Sequence, residues 1–236
     1  MKIEIWSDIV CPFCYIGKRN FETALAQFND AQLIQTEWKS FQLDPELPRS
    51  TPYGSTYEYL AERKGLSIAQ AREMTAGVAA TGKNAGVTLN FEKTVAANTW
   101  DAHRLLHLAH SKGVGSPMKE LLFRAHFTDG KDISNADTLV KLGKEAGLEE
   151  TEVTAMLGSD AYGYEVAQDI QEAQNIGIRG VPFFVFNRKY AVSGAQPADV
   201  FLQTLQKSVA EWRAEHPDGL THVTAGPTCD PDGNCE

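Results

Sequence analysis

A pair of cysteines beside a helix start constrains this chain more than any other feature. Cys11 and Cys14 enclose Pro12 and Phe13, directly after residues 2–6, in which apolar and charged residues alternate as in a half-buried strand. Proline is favoured in the first turn of a helix, because the N–H that it lacks would have no partner there. The sequence therefore predicts a CxxC motif at the junction between a first strand and a first helix.

Beyond this motif the chain is expected to be mostly helical as far as residue 177. The first helix should run over residues 12–28, and residues 33–43 predict a second strand. From residue 44 to about residue 177, a glycine follows each expected helix. These glycines are Gly65, Gly86, Gly113, Gly130, Gly147 and Gly177. Ser134 and Asp137 predict a capping box at the start of one of these helices.

Two further strands and a helix complete a predicted thioredoxin fold. Residues 183–187 and 190–194 predict a hairpin, and residues 197–214 predict a final helix. Without the helical segment the order of elements is that of a thioredoxin, so we expect an α/β protein with a large helical insertion. The expected parts are a thioredoxin domain (1–43 and 178–214), an insertion (44–177, with its last helix at about 161–177 open to either part) and a flexible tail (215–236).

The chemistry predicted for the two cysteines is thiol–disulfide exchange. The thiolate is the reactive form, and the partial positive charge of a helix N-terminus lowers a cysteine pKa. We therefore expect Cys11 to be the nucleophile, with a lowered pKa and the greater exposure of the two thiols. Cys14, one turn further along, should be the buried thiol that resolves a mixed disulfide. A pair of structural thiols, or half of a zinc site, is the alternative interpretation.

A proline near the end of the chain supports the redox interpretation. Pro182 follows Gly180 and Val181 directly before a predicted strand, which favours a cis peptide bond. In a thioredoxin fold this loop faces the CxxC motif, and its backbone pairs with a substrate chain as an added strand. We expect Pro182 to shape the substrate groove, and Val181, Pro12 and Phe13 to contact the substrate.

Three separated segments resemble the DsbA family of thiol–disulfide oxidoreductases. They are residues 6–8 with 11–19, residues 177–186 and residues 98–105, and they look closest to the FrnE-like branch of cytoplasmic proteins. The resemblance spans about residues 2–214. It implies a thioredoxin domain with a helical insertion, disulfide exchange through the CxxC thiols, and a cis proline opposite them. It also implies reaction with protein thiols and disulfides, with glutathione as a further candidate partner, and no cofactor. Asn98 and His103 would lie near the active-site cleft.

Two features leave the direction of the reaction open. The founding DsbA proteins carry a histidine between the cysteines, which stabilises the thiolate and makes them strong oxidants, whereas this chain has Phe13. The first residues contain no apolar stretch typical of a secretory signal, so we expect a cytoplasmic protein that meets a reducing thiol pool. Oxidation, reduction and isomerisation all remain open.

Alternative functions come from three other classes. Glutathione-dependent isomerases of the 2-hydroxychromene-2-carboxylate type have a motif similar to residues 98–105, but typically a serine in place of Cys11. His103, His107 and His110 would share one helix face, yet no glutamate follows His103 as in a helical zinc motif, so we expect no metal. A zinc-binding structural module and a chaperone-like binder of unfolded chains are the other two alternatives.

The charge balance argues against two classes of partner. The chain has 22 basic and 31 acidic residues and a net charge of −9. Phosphate backbones and anionic membrane surfaces attract proteins with basic patches, so we expect neither nucleic acid nor a membrane as a partner. No stretch approaches the roughly 20 apolar residues that a membrane-spanning helix needs.

A second pair of cysteines lies in the expected tail. Cys229 and Cys235 are surrounded by Pro, Gly and Asp, which offer no core to join. A flexible tail of about 20 residues reaches on the order of 25 Å, enough to bring these thiols back to the CxxC motif. The interpretations are a second redox pair, inert thiols or part of a metal site, and the second redox pair is favoured.

Removal of the tail should change electron transfer but not folding. Exchange between a tethered dithiol and Cys11–Cys14 takes place at an effective concentration of up to about millimolar, so it should outpace exchange with a dilute partner. Truncation after Ala214 should therefore alter turnover with a small-molecule oxidant. In the Cys14→Ser variant, trapping should yield a disulfide from Cys11 to Cys229 or Cys235. Equal rates for the truncated and intact chains, with no such species, would show an inert tail.

Overall fold

A four-stranded mixed sheet forms the centre of the molecule. The structure is a computed structural model that describes residues 1–49 and 53–216. In spatial order the strands are β2 (Gln35–Ser40), β1 (Lys2–Ser7), β5 (Phe183–Phe186) and β6 (Tyr190–Ser193). β1 and β2 are parallel, and β5 is antiparallel to both of its neighbours, β1 and β6. This arrangement confirms the predicted thioredoxin fold.

Helices cover both faces of the sheet. On one face, α1 (Pro12–Ala26) and α9 (Ala198–Glu215) pack against the apolar side chains of β1 and β5. The buried residues of this core include Ile3, Ile5, Phe21, Phe184, Phe186, Phe201 and Leu205. On the other face, Trp6 and Val185 pack against Ala173 of α8 (Gly163–Asn175). Because side chains alternate along a strand, Ile5 and Trp6 serve opposite cores.

The helix α8 is anchored to the sheet by one aspartate. The Asp169 carboxylate accepts a hydrogen bond from the backbone N–H of Ser40 (2.8 Å) and pairs with the Lys39 ammonium (3.0 Å). Its carbonyl accepts a hydrogen bond from the indole of Trp6 (2.9 Å). We therefore propose that α8 belongs to the thioredoxin domain, an assignment that the sequence leaves open.

The segment between β2 and α8 is helical, as predicted. Its helices are α2 (Thr56–Lys64), α3 (Ile68–Asn84), α4 (Trp100–Ser111), α5 (Gly115–Phe123), α6 (Ala136–Glu145) and α7 (Glu150–Leu157). All six glycines predicted to follow helices have positive φ, between 65° and 94°, a conformation that glycine adopts without strain. A π-helical turn, Arg124–Thr128, continues α5. Among residues 1–49 and 53–216, no helix is long and apolar enough to cross a bilayer.

Two local features differ from the predictions. The short antiparallel pair β3 (Gly54–Ser55) and β4 (Val95–Ala96) is too brief to show an alternating pattern. The predicted Ser134 capping box is wrong, because Asn135 caps α6 and accepts a hydrogen bond from the Thr138 N–H (2.9 Å). Asparagine caps helices as well as serine does, so the two adjacent candidates cannot be separated by sequence.

A buried arginine links α4 to the connection between α7 and α8. The Arg104 side chain donates hydrogen bonds to the carbonyls of Ala161 (2.8 Å), Met156 (2.5 Å) and Ser159, and pairs with Asp101 (2.7 Å). Backbone carbonyls buried without a donor are costly, so one guanidinium fixes this connection. Arg104 belongs to the segment 98–105 that resembles the DsbA family, and these hydrogen bonds give it a structural role.

Loss of this guanidinium should destabilise the fold. We expect Arg104→Met to lower the free energy of unfolding by about 2–4 kcal/mol, because the carbonyls that it serves lose their donor. Arg63→Met is the matched control, since Arg63 is 42% exposed and pairs with Asp44 at the surface. That change should cost no more than about 1 kcal/mol. Urea denaturation measures both, and equal losses would contradict the proposed anchoring.

Candidate active site

Cys11 and Cys14 lie in the first turn of α1, as predicted. Cys11 is the N-cap residue, and its backbone N–H donates to the carbonyl of Asp8 (3.2 Å) in the turn after β1. The Cys14 N–H donates to the Cys11 carbonyl (3.0 Å), and Pro12 lies between them in the first helical turn. Both cysteines are free thiols. The turn after β1 therefore fixes both sulfurs at the start of the helix.

The loop before β5 faces the first cysteine. The Cys11 thiol donates a hydrogen bond to the Val181 carbonyl, with 3.5 Å between sulfur and oxygen. The Val181–Pro182 peptide bond is cis, which confirms the sequence prediction. The Pro182 carbonyl accepts a hydrogen bond from the Gly194 N–H (2.8 Å), so the loop is held to the end of β6. Two distant segments thus meet at one sulfur.

A glycine allows α1 to approach this loop closely. A Cβ atom on Gly17 would lie 2.9 Å from Cγ of Pro182 and 3.5 Å from the ring of Phe184. Carbon atoms that are not bonded do not approach to 2.9 Å without displacement. The absence of a side chain at Gly17 therefore sets the distance between the CxxC helix and the Pro182 loop.

Both thiols are buried. Cys14 is 1% exposed and Cys11, beneath the Val181 carbonyl, is 4% exposed, so Cys11 is the more exposed thiol, as predicted, although by a narrow margin. The residue between them differs, since Phe13 is 44% exposed. The cysteines share an apolar cluster with residues of α1 and of the helical segment, which include Tyr15, Ile16, Tyr57, Phe91, Phe123 and Phe127.

The Cys11 pKa is raised, not lowered as predicted from the helix start. The hydrogen bond with the Cys14 thiol raises the Cys11 pKa well above its ordinary value, and burial adds to this effect. The Cys14 backbone N–H acts in the opposite direction without offsetting them. The helix N-terminus is therefore present, but low solvent exposure and a neighbouring thiol outweigh its field.

A buried carboxylate lies directly before the motif. Asp8 is 1% exposed and accepts hydrogen bonds from the Leu43 N–H (2.8 Å) and from His103 Nε2 (3.3 Å). Burial by itself raises the Asp8 pKa, but its hydrogen bonds outweigh burial and the Asp8 pKa is lowered. His103 Nε2 also contacts the Phe41 carbonyl (3.0 Å), so this nitrogen carries the proton. Burial lowers the His103 pKa, which favours the neutral ring.

Asn98 and His103 are both buried, so their expected position near the active-site cleft stays a prediction. Asn98 is 3% exposed and donates to the Leu47 carbonyl (2.7 Å), so it secures the chain after β2. His103 is fully buried behind Asp8. Their hydrogen bonds to buried backbone and carboxylate groups explain why both side chains point inward.

The sequence analysis missed a buried lysine in the helical segment. Lys119 of α5 is fully buried, and within the described residues its ammonium has no hydrogen-bond partner. The Lys119 nitrogen lies 4.9 Å from the ring centre of Phe123 and 5.3 Å from that of Trp38. Burial lowers its pKa to about 8. The spacing of Lys119 to Leu122 and Phe123 places it on the apolar helix face, which is the signal that could have found it.

An open groove lies beside the Pro182 loop. It has a volume of about 400 Å³, and its lining includes Arg179, Gly180, Val181, Pro182, Phe183 and Ser193. Val181 is half-buried and lines this groove. The predicted substrate-contacting residue Val181 therefore joins this groove to the Cys11 thiol.

The metal and tail interpretations have different outcomes. In residues 1–49 and 53–216, no group of three or more His, Cys, Asp or Glu side chains is arranged to hold a metal ion. The predicted histidine face is divided, because His103 is buried, His107 pairs with Asp169 and His110 is exposed. Cys229 and Cys235 lie outside the described residues, so the role of the tail stays a prediction.

Comparisons with known proteins agree with the fold. Residues 2–206 match the family model of the DSBA-like thioredoxin domain. The chain belongs to this family. Membership confirms the predicted fold and the predicted class of enzyme, a DsbA-like oxidoreductase.

Relatives of this DsbA-like chain match most of its length. A probable DsbA oxidoreductase from Streptomyces coelicolor has 36% sequence identity and a TM-score of 0.85, over 100% of this chain and 98% of that chain. The uncharacterized protein YwbO from Bacillus subtilis is 27% identical over 203 residues, which are 84% of this chain and 92% of that protein. The cytosolic disulfide reductase DsbM from Pseudomonas aeruginosa shares the fold, with 16% identity and a TM-score of 0.62 over 89% of this chain and 100% of that chain.

A methyl group at position 17 should separate the two halves of the site. We expect Gly17→Ala to lower the free energy of unfolding by about 1–3 kcal/mol, because the added carbon overlaps Pro182. Disulfide exchange should slow, since the Cys11–Val181 contact depends on the same approach. Gly77→Ala is the control, because a Cβ there meets no atom within 4 Å. It lies in a helix interior and should stabilise by about 0.5–1 kcal/mol. Unchanged stability and rate in Gly17→Ala would contradict this account.

Proposed function

We propose that the protein exchanges disulfides with protein substrates, with Cys11 as the nucleophile and Cys14 as the resolving thiol. The observation that carries the proposal is the position of the Cys11 sulfur at the α1 N-cap, 3.5 Å from the Val181 carbonyl. At this position one sulfur adjoins both the second thiol and an accessible stretch of substrate-binding backbone. An inert buried thiol pair needs no such backbone beside it.

The reaction consists of two exchange steps. The Cys11 thiolate attacks a substrate disulfide, a bond forms between Cys11 and one substrate sulfur, and the other sulfur leaves as a thiolate. The Cys14 thiolate then attacks the Cys11 sulfur and expels the second substrate thiolate. The two protons of the enzyme thiols pass through water to the substrate thiolates. The substrate gains two electrons, and the enzyme ends as the Cys11–Cys14 disulfide.

The substrate should bind as an extended chain along the Pro182 loop. A strand that pairs with the Val181 backbone would occupy its carbonyl, which now accepts the Cys11 thiol. That exchange removes an acceptor that favours the protonated thiol, so substrate binding itself would promote the thiolate. The exposed Phe13 ring and Pro12 offer an apolar contact beside the same sulfur.

The electrostatics favour the reducing direction. A CxxC pair becomes strongly oxidising when its reduced form is stabilised as a thiolate. Here Phe13 adds no charge, the partner of the Cys11 thiol is a carbonyl, and the Cys11 pKa is raised. Among the described residues no cation donates a hydrogen bond to Cys11. We therefore propose a disulfide reductase or isomerase rather than an oxidase.

The partner and the location follow from the same proposal. DsbM, a structural relative, is named as a cytosolic disulfide reductase and has been solved with glutathione. Protein disulfides as substrates, glutathione as reductant and a cytoplasmic location fit the reducing direction. The FrnE-like assignment stays a prediction, and the presence of Cys11 rather than serine favours this activity over the glutathione-dependent isomerase.

Insulin reduction and a redox titration test the proposal. The wild-type protein should reduce insulin with dithiothreitol or glutathione, Cys11→Ser should be inactive, and Cys14→Ser should accumulate mixed disulfides. The potential should lie nearer to that of thioredoxin, about −270 mV, than to that of DsbA, about −120 mV. A wild-type protein whose activity equals that of Cys11→Ser would refute the function.

A variant at position 13 tests the direction separately. Phe13→His places a titratable donor between the cysteines, so it should lower the Cys11 pKa and raise the potential. Phe13→Leu is the matched control, because it keeps an apolar side chain and should leave the potential nearly unchanged. A wild-type potential near that of DsbA would overturn the reducing direction while leaving disulfide exchange intact.

A further inference from the structure

A buried ammonium group lies near the two thiols and forms no salt bridge among the described residues. Lys119 is fully buried, with 0% solvent exposure, and among the described residues its nitrogen has no hydrogen-bond partner. An isolated charge in such a place is strongly disfavoured, because burial removes the water molecules that would hydrate it. Aromatic faces on Phe123 and Trp38 compensate for this loss only in part.

The ionisable groups that face Lys119 come from every element packed around it. They are Cys11, Cys14 and Lys18 of α1, Asp8 after β1 and His103 of α4. His126 of the π-helical turn is also buried, and its charged neighbours are Asp8 and Asp132. Asp8 is the carboxylate in this set, and it is already held by His103 and the Leu43 N–H. Lys18 is buried as well, but its ammonium is paired with the more exposed carboxylates of Glu22 and Glu120. His103 and His126 are buried bases with lowered pKa values.

The two thiols are the remaining groups that can provide an anion. The Lys119 nitrogen lies over the ring of Phe123, which belongs to the same buried cluster as Cys14 and Cys11, and a negative charge on Cys14 favours the protonated amine. When both thiols are protonated, the ammonium has no partner, and when Cys14 loses its proton, the two opposite charges balance each other. In a medium of low polarity such a pair interacts far more strongly than it would in water.

We propose that Lys119 provides the counter-charge for the Cys14 thiolate during the resolving step. The proposal rests on the proposed function. In this step Cys14 releases its proton to water, and the resulting thiolate attacks Cys11 in the mixed disulfide. The Cys11–Cys14 bond forms, the bond to the substrate breaks, and the substrate sulfur leaves with the electron pair and takes a proton from water. Lys119 touches no reacting atom, so it is a positioning residue that acts through Cys14.

The position of Lys119 gives the helical segment a part in the reaction. The thioredoxin domain supplies both sulfurs, whereas the balancing charge comes from α5. Burial lowers the Lys119 pKa to about 8, which is still above neutral pH. The amine is therefore mostly protonated at neutral pH, where the counter-charge is needed. Above that pH the benefit should fade, since the amine loses its proton.

The two exchange steps can be followed separately with dithiobis(nitrobenzoate) as the disulfide. Attack by Cys11 releases one nitrothiobenzoate, and attack by Cys14 releases the second, so stopped-flow absorbance shows two phases. The full chain is used with Cys229→Ser and Cys235→Ser, so that the tail thiols release none. Lys119→Met removes the charge but keeps a chain that packs on Phe123 and Trp38.

The second phase should be the one that changes. In Lys119→Met it should slow by about tenfold at neutral pH, and its pH midpoint should rise by about one unit. The first phase should change far less, and the melting temperature should not fall, because an unbalanced buried charge is removed. Lys112→Met is the control, since Lys112 pairs with Glu152 at the surface of the helical segment. It should match wild type in both phases.

A second variant separates charge from shape. Lys119→Arg keeps a permanent positive charge that can stack on the same rings, so it should restore the second phase to within about threefold of wild type. Equal second phases in wild type and Lys119→Met would overturn the proposal, as would folded Lys119→Arg and Lys119→Met variants that are equally slow. Release of fewer than two nitrothiobenzoates per wild-type chain would instead refute the proposed function.

Discussion

The close contact between the start of α1 and the loop before β5 is the constraint on which the site depends. Gly17 has no side chain to hold Pro182 away, and the Cys11 thiol reaches the Val181 carbonyl across the same interface. The sheet brings these segments together, because β1 and β5 are direct neighbours. Separation of either segment would leave the thiol without the backbone with which the proposed substrate pairs.

Burial explains why this site departs from the expected behaviour of a cysteine at a helix start. The helix N-terminus favours a thiolate, yet Cys11 is shielded from water and hydrogen-bonded to a second thiol, and the balance raises its pKa. Charge is therefore stabilised by specific partners rather than by solvent. In the two proposals, a substrate strand that occupies the Val181 carbonyl promotes the Cys11 thiolate, and Lys119 balances the charge of the Cys14 thiolate.

The helical segment contributes to the site as well as covering it. Its aromatic rings, Phe123 and Phe127, enclose the sulfurs, and Glu120 accepts hydrogen bonds from Tyr15 (2.7 Å) and Lys18 (2.6 Å) of α1. These contacts fix α5 relative to the CxxC helix. A charge on α5 is thereby held at a constant position behind the thiols, which a separately moving domain would not achieve.

The sequence by itself determined the order of elements, the helix ends at six glycines, the strand–helix junction at Cys11 and the cis bond at Pro182. Each depends on local chemistry, namely the conformations open to glycine and proline and the periodicity of apolar residues. Only the tertiary structure decided the burial of Cys11, the inward positions of Asn98 and His103, and the burial of Lys119 against the thiols. These properties depend on which distant segments pack together, because that packing decides which side chains lose contact with water. A local sequence pattern does not contain this information.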